Sequence, residues 1–214
     1  MIDLKGFISD KFFKKRFLLV FERNMSLNES MLDHDEYALH ILNDPTEFNE
    51  IDTSVLSKEG LLDKFKKRLN NPALTLFLAT DKETHNIVGY FWIAEAVGAP
   101  FWYDKIYAES DTAIGINAFT FPEYRGKGIF PFLESNAIRY VCHHKGRKCF
   151  YGIVEASNES SLRSHKKIGF SIAGINYLTK FMGYNIISII NRSGVWEFHL
   201  VFRTHKGRSL DHII

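Results

Sequence analysis

The sequence predicts an α/β fold in one domain, a sheet carrying helices, and three observations lead there. β-favouring apolar runs recur along the chain, and amphipathic helical stripes separate several of them. Between Ala113 and Gly146 a strand, a glycine-containing turn and a helix follow one another directly. No repeat and no low-complexity linker marks a second domain. At 214 residues the chain can bury a core large enough to fold unaided, so residues 1–214 are expected to form one domain.

Taken in order, Leu4, Phe7, Ile8 and Phe12 recur at helical spacing and predict a short amphipathic helix between Ile2 and Lys15. Phe17 to Phe21 and Tyr37 to Leu42 read as strands that pair as a hairpin, making residues 1–50 an N-terminal elaboration. Leu56, Leu61, Leu62, Phe65 and Leu69 form one helical stripe, ended by Asn70-Asn71-Pro72. Leu74 to Thr80 and Ile87 to Ala96 flank a polar loop and form the clearest hairpin. Ala113 to Phe121 is a strand, and Pro131 suits the first turn of a helix that ends before Gly146. Lys148 to Val154 is a further strand, followed by a polar helix from Asn158 to Ile168. Gly169 and Phe170 supply its stop signal, a left-handed residue followed by an apolar one that folds back. Ile172 to Ile190 and Val195 to Phe202 are β-rich and are divided by the turn residues Asn191 to Gly194.

Composition removes several function classes. Hydrophobic residues make up 45% and charged residues 24%, ordinary globular usage, although 19 phenylalanines are unusual. A formal net charge of +2 gives no footprint for nucleic acid. No run reaches the ~18 apolar residues of a membrane helix, and the first residues lack a signal peptide's order, so a cytoplasmic protein without a membrane partner is expected. Cys142 and Cys149 fit no metal motif, and His143-His144 bring no second ligand pair, so no metal is expected. A homodimer stays open.

The chemistry concentrates in Arg125-Gly126-Lys127-Gly128-Ile129, between a strand and a helix. A helix start presents unpaired N–H groups and about half a positive charge, and glycines let backbone approach phosphate oxygens, so the loop suits an anion. The same residues also fit a plain strand-to-helix turn. Neither the nucleotide-triphosphate loop Gly-x-x-x-x-Gly-Lys-Ser/Thr nor the dinucleotide pattern Gly-x-Gly-x-x-Gly is present.

The stretch Phe119 to Ile129 resembles the acyl-CoA-binding motif of the GNAT superfamily of N-acetyltransferases, Arg/Gln-x-x-Gly-x-Gly/Ala. Arg125 and Gly128 match, and Phe130 replaces the final small residue. Asn158 to Phe170 is similar to the family's other signature helix, opened by Asn and closed by Gly-Phe, and the two segments stand in the family's order. The resemblance covers about Ser54 to Phe202. It implies a mixed, mostly antiparallel sheet flanked by helices, with one parallel pair, Ala113–Phe121 and Lys148–Val154, splayed at its C-terminal end. It further implies acetyl-CoA or another acyl-CoA as co-substrate. The pyrophosphate would lie on Arg125, Gly126, Lys127, Gly128, Ile129 and Phe130, and the pantetheine along Ala118, Phe119 and Thr120, with Asn158 and Ser161 near the cofactor.

The implied reaction moves an acetyl group to a primary amine by direct attack, without a covalent enzyme intermediate. His165 stands where the family often has a Tyr that protonates the departing thiolate; a thiol titrates near ~8.5 and His near ~6.5, so His165 can serve if it faces the sulfur. Ser164 is the fallback donor. Glu155, Glu95, Glu109 and Asp111 are candidate bases, alongside an ordered water. Trp102, Tyr103, Glu109 and Asp111 lie on an aromatic, acidic segment suited to the ring and hydroxyls of an amino sugar. The other readings are a non-catalytic acyl-CoA-binding module, a longer acyl chain, or an amino acid, polyamine or peptide acceptor.

Overall fold

The hairpin predicted around residues 81–86 is present: β3 (Leu74–Asp81) and β4 (Ile87–Glu95) pair antiparallel, and all but one residue at the end of each is buried. The chain is described from a computed structural model covering residues 13–24, 31–95, 111–181, 184–190 and 196–201. It comprises two compact units, Arg23–Tyr151 and a second made of Met1–Glu22 with Gly152–Ile214.

In the first unit the strand order is β2 (Tyr37–Leu42), β3, β4, β5 (Thr112–Thr120), all antiparallel. The opening residues of β6 (Cys149–Glu155) lie beside the opening of β5, where the Asp111 carbonyl accepts from the amides of Lys148 and Cys149, so the two strands start together and run parallel. The sheet is therefore mixed, with one parallel pair, as expected.

Strand alternation sends successive side chains to opposite faces. On one face of β4, Tyr90 and Trp92 meet Phe65 of α2 (Leu62–Leu69). On the other, Gly89 and Phe91 meet α3 (Ile129–Lys145). Helices thus cover both faces of β4. Leu76, Phe77, Leu78, Trp92, Ile93, Ile114 and Ile129 form the fully buried centre.

The stripe expected as one helix from Leu56 to Leu69 is two helices, α1 (Ser54–Lys58) and α2. Gly60 is the reason: it stands at φ 66, a left-handed conformation that ends a helix. Ahead of β2, the chain is tied to α3 by buried Asn136, whose Oδ1 accepts from the Leu32 amide at 2.7 Å and whose Nδ2 donates to the Leu32 carbonyl at 3.1 Å.

In the second unit β6 neighbours β1 (Phe13–Asn24), followed by β7 (Ser171–Phe181), β8 (Tyr184–Ile190) and β9 (Trp196–Val201). The expected hairpin of β1 with β2 does not form, because β1 pairs with β7, from Phe13↔Phe181 to Glu22↔Ser171, while β2 pairs with β3. Phe13 to Lys15, expected at the end of a helix, belong to β1; the rest of that helix lies outside the described residues. The run Ile172 to Ile190, expected as one β-rich segment, is the antiparallel pair β7 and β8.

Candidate functional site

The end of β5 leads through a short 3-10 turn, Pro122–Tyr124, into the loop and α3. Gly126 and Gly128 have φ of 78 and 80, and a Cβ at either would meet nothing within 4 Å. Two left-handed residues two positions apart curve the backbone so that its N–H groups converge, a concavity suited to anions. Gly128 is the N-cap of α3 and offers no side chain to close the first turn, whose first intrahelical bond runs from the Phe132 amide to the Gly128 carbonyl at 3.0 Å. Pro131 carries no N–H, which removes one donor that would otherwise need a partner. Arg125, Gly126, Lys127 and Gly128 are exposed, Ile129 is buried and Phe130 is half-buried.

The position of this helix start depends on Gly89. A Cβ there would lie 2.9 Å from the Phe119 carbonyl oxygen and 3.0 Å from Ile129 Cγ2. Only a glycine lets α3 sit this close to β4, and the approach sets the first turn beside the end of β5. In the sequence its only signal is that of an isolated glycine inside a strand pattern, which does not disclose the helix that arrives beside it.

Arg125 acts partly on the protein itself. Its Nε donates to the Thr120 carbonyl at 3.2 Å and its guanidinium lies 5.8 Å over the Phe119 ring, which fixes the turn while the charge stays at the surface. Lys127 Nζ lies 5.1 Å over the Tyr124 ring. Ala118 and Phe119 are exposed at the end of β5 and Thr120 is half-buried. Further back in β5 the pairing jumps from Ile93↔Gly115 to Trp92↔Asn117, so Ile116 is a bulge residue. A bulge leaves backbone groups out of the ladder and is common beside active sites; nothing in the local sequence signals it.

In the second unit, α4 (Glu159–Lys167) opens on Asn158, whose Oδ1 accepts from the Ser161 amide at 3.1 Å. The Asn158 side chain is thus engaged as the helix cap. The stop signal at Gly169 is a Schellman motif: the Phe170 amide donates to the His165 carbonyl at 3.0 Å and the Gly169 amide to the Lys166 carbonyl at 3.2 Å, with Gly169 at φ 90. His165 is the residue against which this cap packs. It is 4% exposed, its ring is 5.1 Å from that of Phe170, and a Cβ on Gly152 would lie 2.7 Å from its Nε2. Its Nδ1 is 2.8 Å from the Ser161 carbonyl, which can only accept, so Nδ1 carries a proton. Ser161, Ser164 and Glu155 are half-buried in the same unit.

No protein-family model matches this sequence, and neither does any curated protein. Solved structures do match. An X-ray structure of a Drosophila melanogaster protein superposes with a TM-score of 0.53 at 14% identity, over 84% of this chain and 56% of that one. A tandem GNAT protein from the clavulanic acid biosynthesis pathway gives 0.51 at 11% identity, over 80% and 56%. A putative acetyltransferase of the GNAT family from Novosphingobium aromaticivorans gives 0.51 at 15% identity, over 78% and 64%. The chain has the GNAT acetyltransferase fold. It spans between 56% and 64% of the length of these three proteins.

Within that fold the remaining candidates fall into three groups. Glu95 is committed to an ion-pair cluster with Lys145 and Arg147; burial pushes its carboxyl up, but the hydrogen bonds and charges of Arg147 and Lys145 win and hold it below its ordinary value. Asp111 lies at the start of β5, with its carboxylate 3.9 Å from Lys148 Nζ. Trp102, Tyr103 and Glu109 lie outside the described residues. Among the described residues no group of acidic, His and Cys side chains could hold a metal ion, and no helix is long and apolar enough to cross a membrane.

Proposed function

We propose that this chain is a cytoplasmic acyl-CoA-dependent N-acyltransferase that moves an acetyl group from acetyl-CoA to the primary amine of a small molecule. The observation that carries the reading is the open pair of left-handed glycines ahead of α3, with nothing within 4 Å of either Cβ position. Backbone amides from Gly126 to Phe130, with Lys127 beside them, take the pyrophosphate, and the exposed end of β5 from Ala118 to Thr120 pairs with the pantetheine amides. Among acceptors we favour an amino sugar, whose ring and hydroxyls suit the aromatic and acidic residues from Phe101 to Asp111.

The chemistry asks little of the protein. The amine lone pair attacks the thioester carbonyl carbon, the C–S bond breaks, and the nitrogen releases its proton to water or a nearby carboxylate. A thiol titrating near ~8.5 leaves readily, so a strong acid is not obligatory. A positioning role for His165 in α4 is therefore sufficient, and the thiolate leaves as the anion and takes its proton from water.

A second reading, an acyl-CoA-binding module without catalysis, is favoured by the enclosure of His165 in the helix cap. Two measurements separate these. Calorimetry should give acetyl-CoA binding that Gly128→Glu abolishes in folded protein; unchanged affinity places the cofactor elsewhere. Thiol release from acetyl-CoA across amino sugars, amino acids, polyamines and peptides should be amine-dependent in the enzyme and absent in the binding module.

A further inference from the structure

The strand that leads to the cofactor loop changes character part-way along. In β5, Thr112, Ala113 and Ile114 are buried, Gly115 and Asn117 are half-buried on either side of the buried bulge residue Ile116, and Ala118 and Phe119 are exposed. The accessible stretch therefore begins at Gly115 and ends beside the turn before α3. A row of rings lines its α3 side. Phe130, in the first turn of α3, meets Phe91 edge-on with ring centroids 6.0 Å apart, and Phe91 stacks on Phe150 of β6 at 6.3 Å and 29°. Ala118 pairs with Phe91 across the ladder, so their side chains share that face.

Within this row Phe91 and Gly115 fit one another closely. A Cβ on Gly115 would lie 2.7 Å from Phe91 Cζ, 3.3 Å from its Cε2 and 3.4 Å from Phe150 Cε1, so the tip of the Phe91 ring fills the place that a side chain on Gly115 would take. Phe91 is 3% exposed. An apolar ring seated over a glycine, in a layer packed as densely as an organic crystal, yields little to anything pushed against it.

The direction of the cofactor gives this stop a use. With the pyrophosphate on the amides from Gly126 to Phe130 and the pantetheine paired with Ala118 to Thr120, the sulfur end points back along β5, toward Asn117, Ile116 and Gly115. We propose that Phe91, seated over Gly115, closes the inner end of the acyl site and confines the donor to short acyl groups, acetyl above butyryl. This rests on the acyl-CoA reading and adds the residue pair that sets chain length. Methylenes beyond acetyl have to displace a ring that Phe130, Gly115 and Phe150 surround, which is overpacking of a filled space.

The test measures binding of CoA, acetyl-CoA and butyryl-CoA by calorimetry, with each thioester read relative to CoA, which carries no acyl group. The wild-type chain should bind butyryl-CoA at least about tenfold more weakly than acetyl-CoA, the scale of an overpacked core. Phe91→Leu removes the ring edge over Gly115 and keeps an apolar side chain, and should bring the two thioesters within about threefold of each other. Gly115→Ala added to Phe91→Leu puts a methyl into the vacated place and should restore the wild-type preference. Should Phe91→Leu fail to fold, Phe91→Met, unbranched and adaptable, carries the same prediction. Equal affinity for both thioesters in the wild-type chain, a folded Phe91→Leu or Phe91→Met variant of unchanged preference, or a relaxed preference that persists in the folded double variant overturns the proposal and leaves the cofactor reading standing. Absence of binding to CoA and to both thioesters overturns the two together. No amine enters these titrations, so they decide the role of Phe91 equally in a chain that binds acyl-CoA without catalysis.

Discussion

The two segments that resemble a known family by sequence, the turn before α3 and the end of α4, are built in opposite ways. The first keeps its glycines in open space, with φ of 78 and 80 and no atom within 4 Å of either Cβ position. The second closes on itself: Gly169 and Phe170 satisfy the last carbonyls of α4, and Phe170 packs on His165, which in turn presses on Gly152. A left-handed glycine therefore stands open in one place and closes a helix end in the other, and the surroundings decide which. The difference teaches that the backbone around Gly128 is available for binding, whereas the side chain of His165 is engaged in packing.

The sharpest way to break this contrast is to compare glycines at the two ends of one helix. Gly128 and Gly146 flank α3 with φ of 80 and 63 and equally open surroundings. A side chain at either incurs roughly 1 to 2 kcal/mol of left-handed strain, so both glutamate variants should melt at similar temperatures. Only Gly128→Glu should lose acetyl-CoA affinity, by more than about 100-fold, an effect near 2.7 kcal/mol. Equal loss in Gly146→Glu would show that the strain, rather than the site, controls binding.

At the closed end the expected effect is smaller and falls on stability. Gly152→Ala brings a methyl to 2.7 Å from His165 Nε2 and 3.0 Å from its Cδ2. Overpacking of this kind costs about 1 to 3 kcal/mol. His165→Ala vacates the same space and should recover part of that cost, so denaturant titration of both single variants and the double should give a favourable coupling of about 1 kcal/mol. Additive losses would mean that the ring does not hold this contact. The same His165→Ala protein separates the two roles for the imidazole: a positioning residue lowers melting temperature with kcat nearly intact, whereas an acid lowers kcat by roughly 10² or more.

What the sequence disclosed follows the range of the interactions involved. The stop at Gly169-Phe170 and the hairpin of β3 with β4 are local, so their residues carry their own signal. The partner of β1 is not local, and a strand pattern says nothing about which strand it will meet; hence β1 was expected against β2 and pairs with β7. Gly89 and the Ile116 bulge escape for the same reason, because their meaning comes from the helix and the strand that arrive beside them. The broken helix at Gly60 is a different failure: the apolar stripe continued through a residue whose left-handed φ interrupts it. His165, on a helix with three basic neighbours, reads as half-exposed until the cap and Gly152 enclose it.

The smallest expected effect contrasts the two ends of β4. Gly89 pairs with Thr120 beside the loop ahead of α3, whereas Glu95 pairs with Ala113 at the far end, where it holds Lys145 and Arg147. The Glu95 carboxyl is held below its ordinary value of 4.5 despite burial. A depressed folded-state value means that the unfolded chain binds the proton more readily, so the contribution is complete above pH 4.5 and is lost as pH falls through the depressed value. Glu95→Gln removes the charge but keeps the shape, and should cost about 1 to 3 kcal/mol at neutral pH. The gap to the wild-type chain should narrow on acidification and close below the depressed value. Acetyl-CoA affinity at neutral pH should not move, because the altered residue sits at the opposite end of the strand from Gly89. A gap independent of pH would assign the Glu95 contribution to packing, and a loss of affinity would mean that the ion-pair cluster also shapes the cofactor loop.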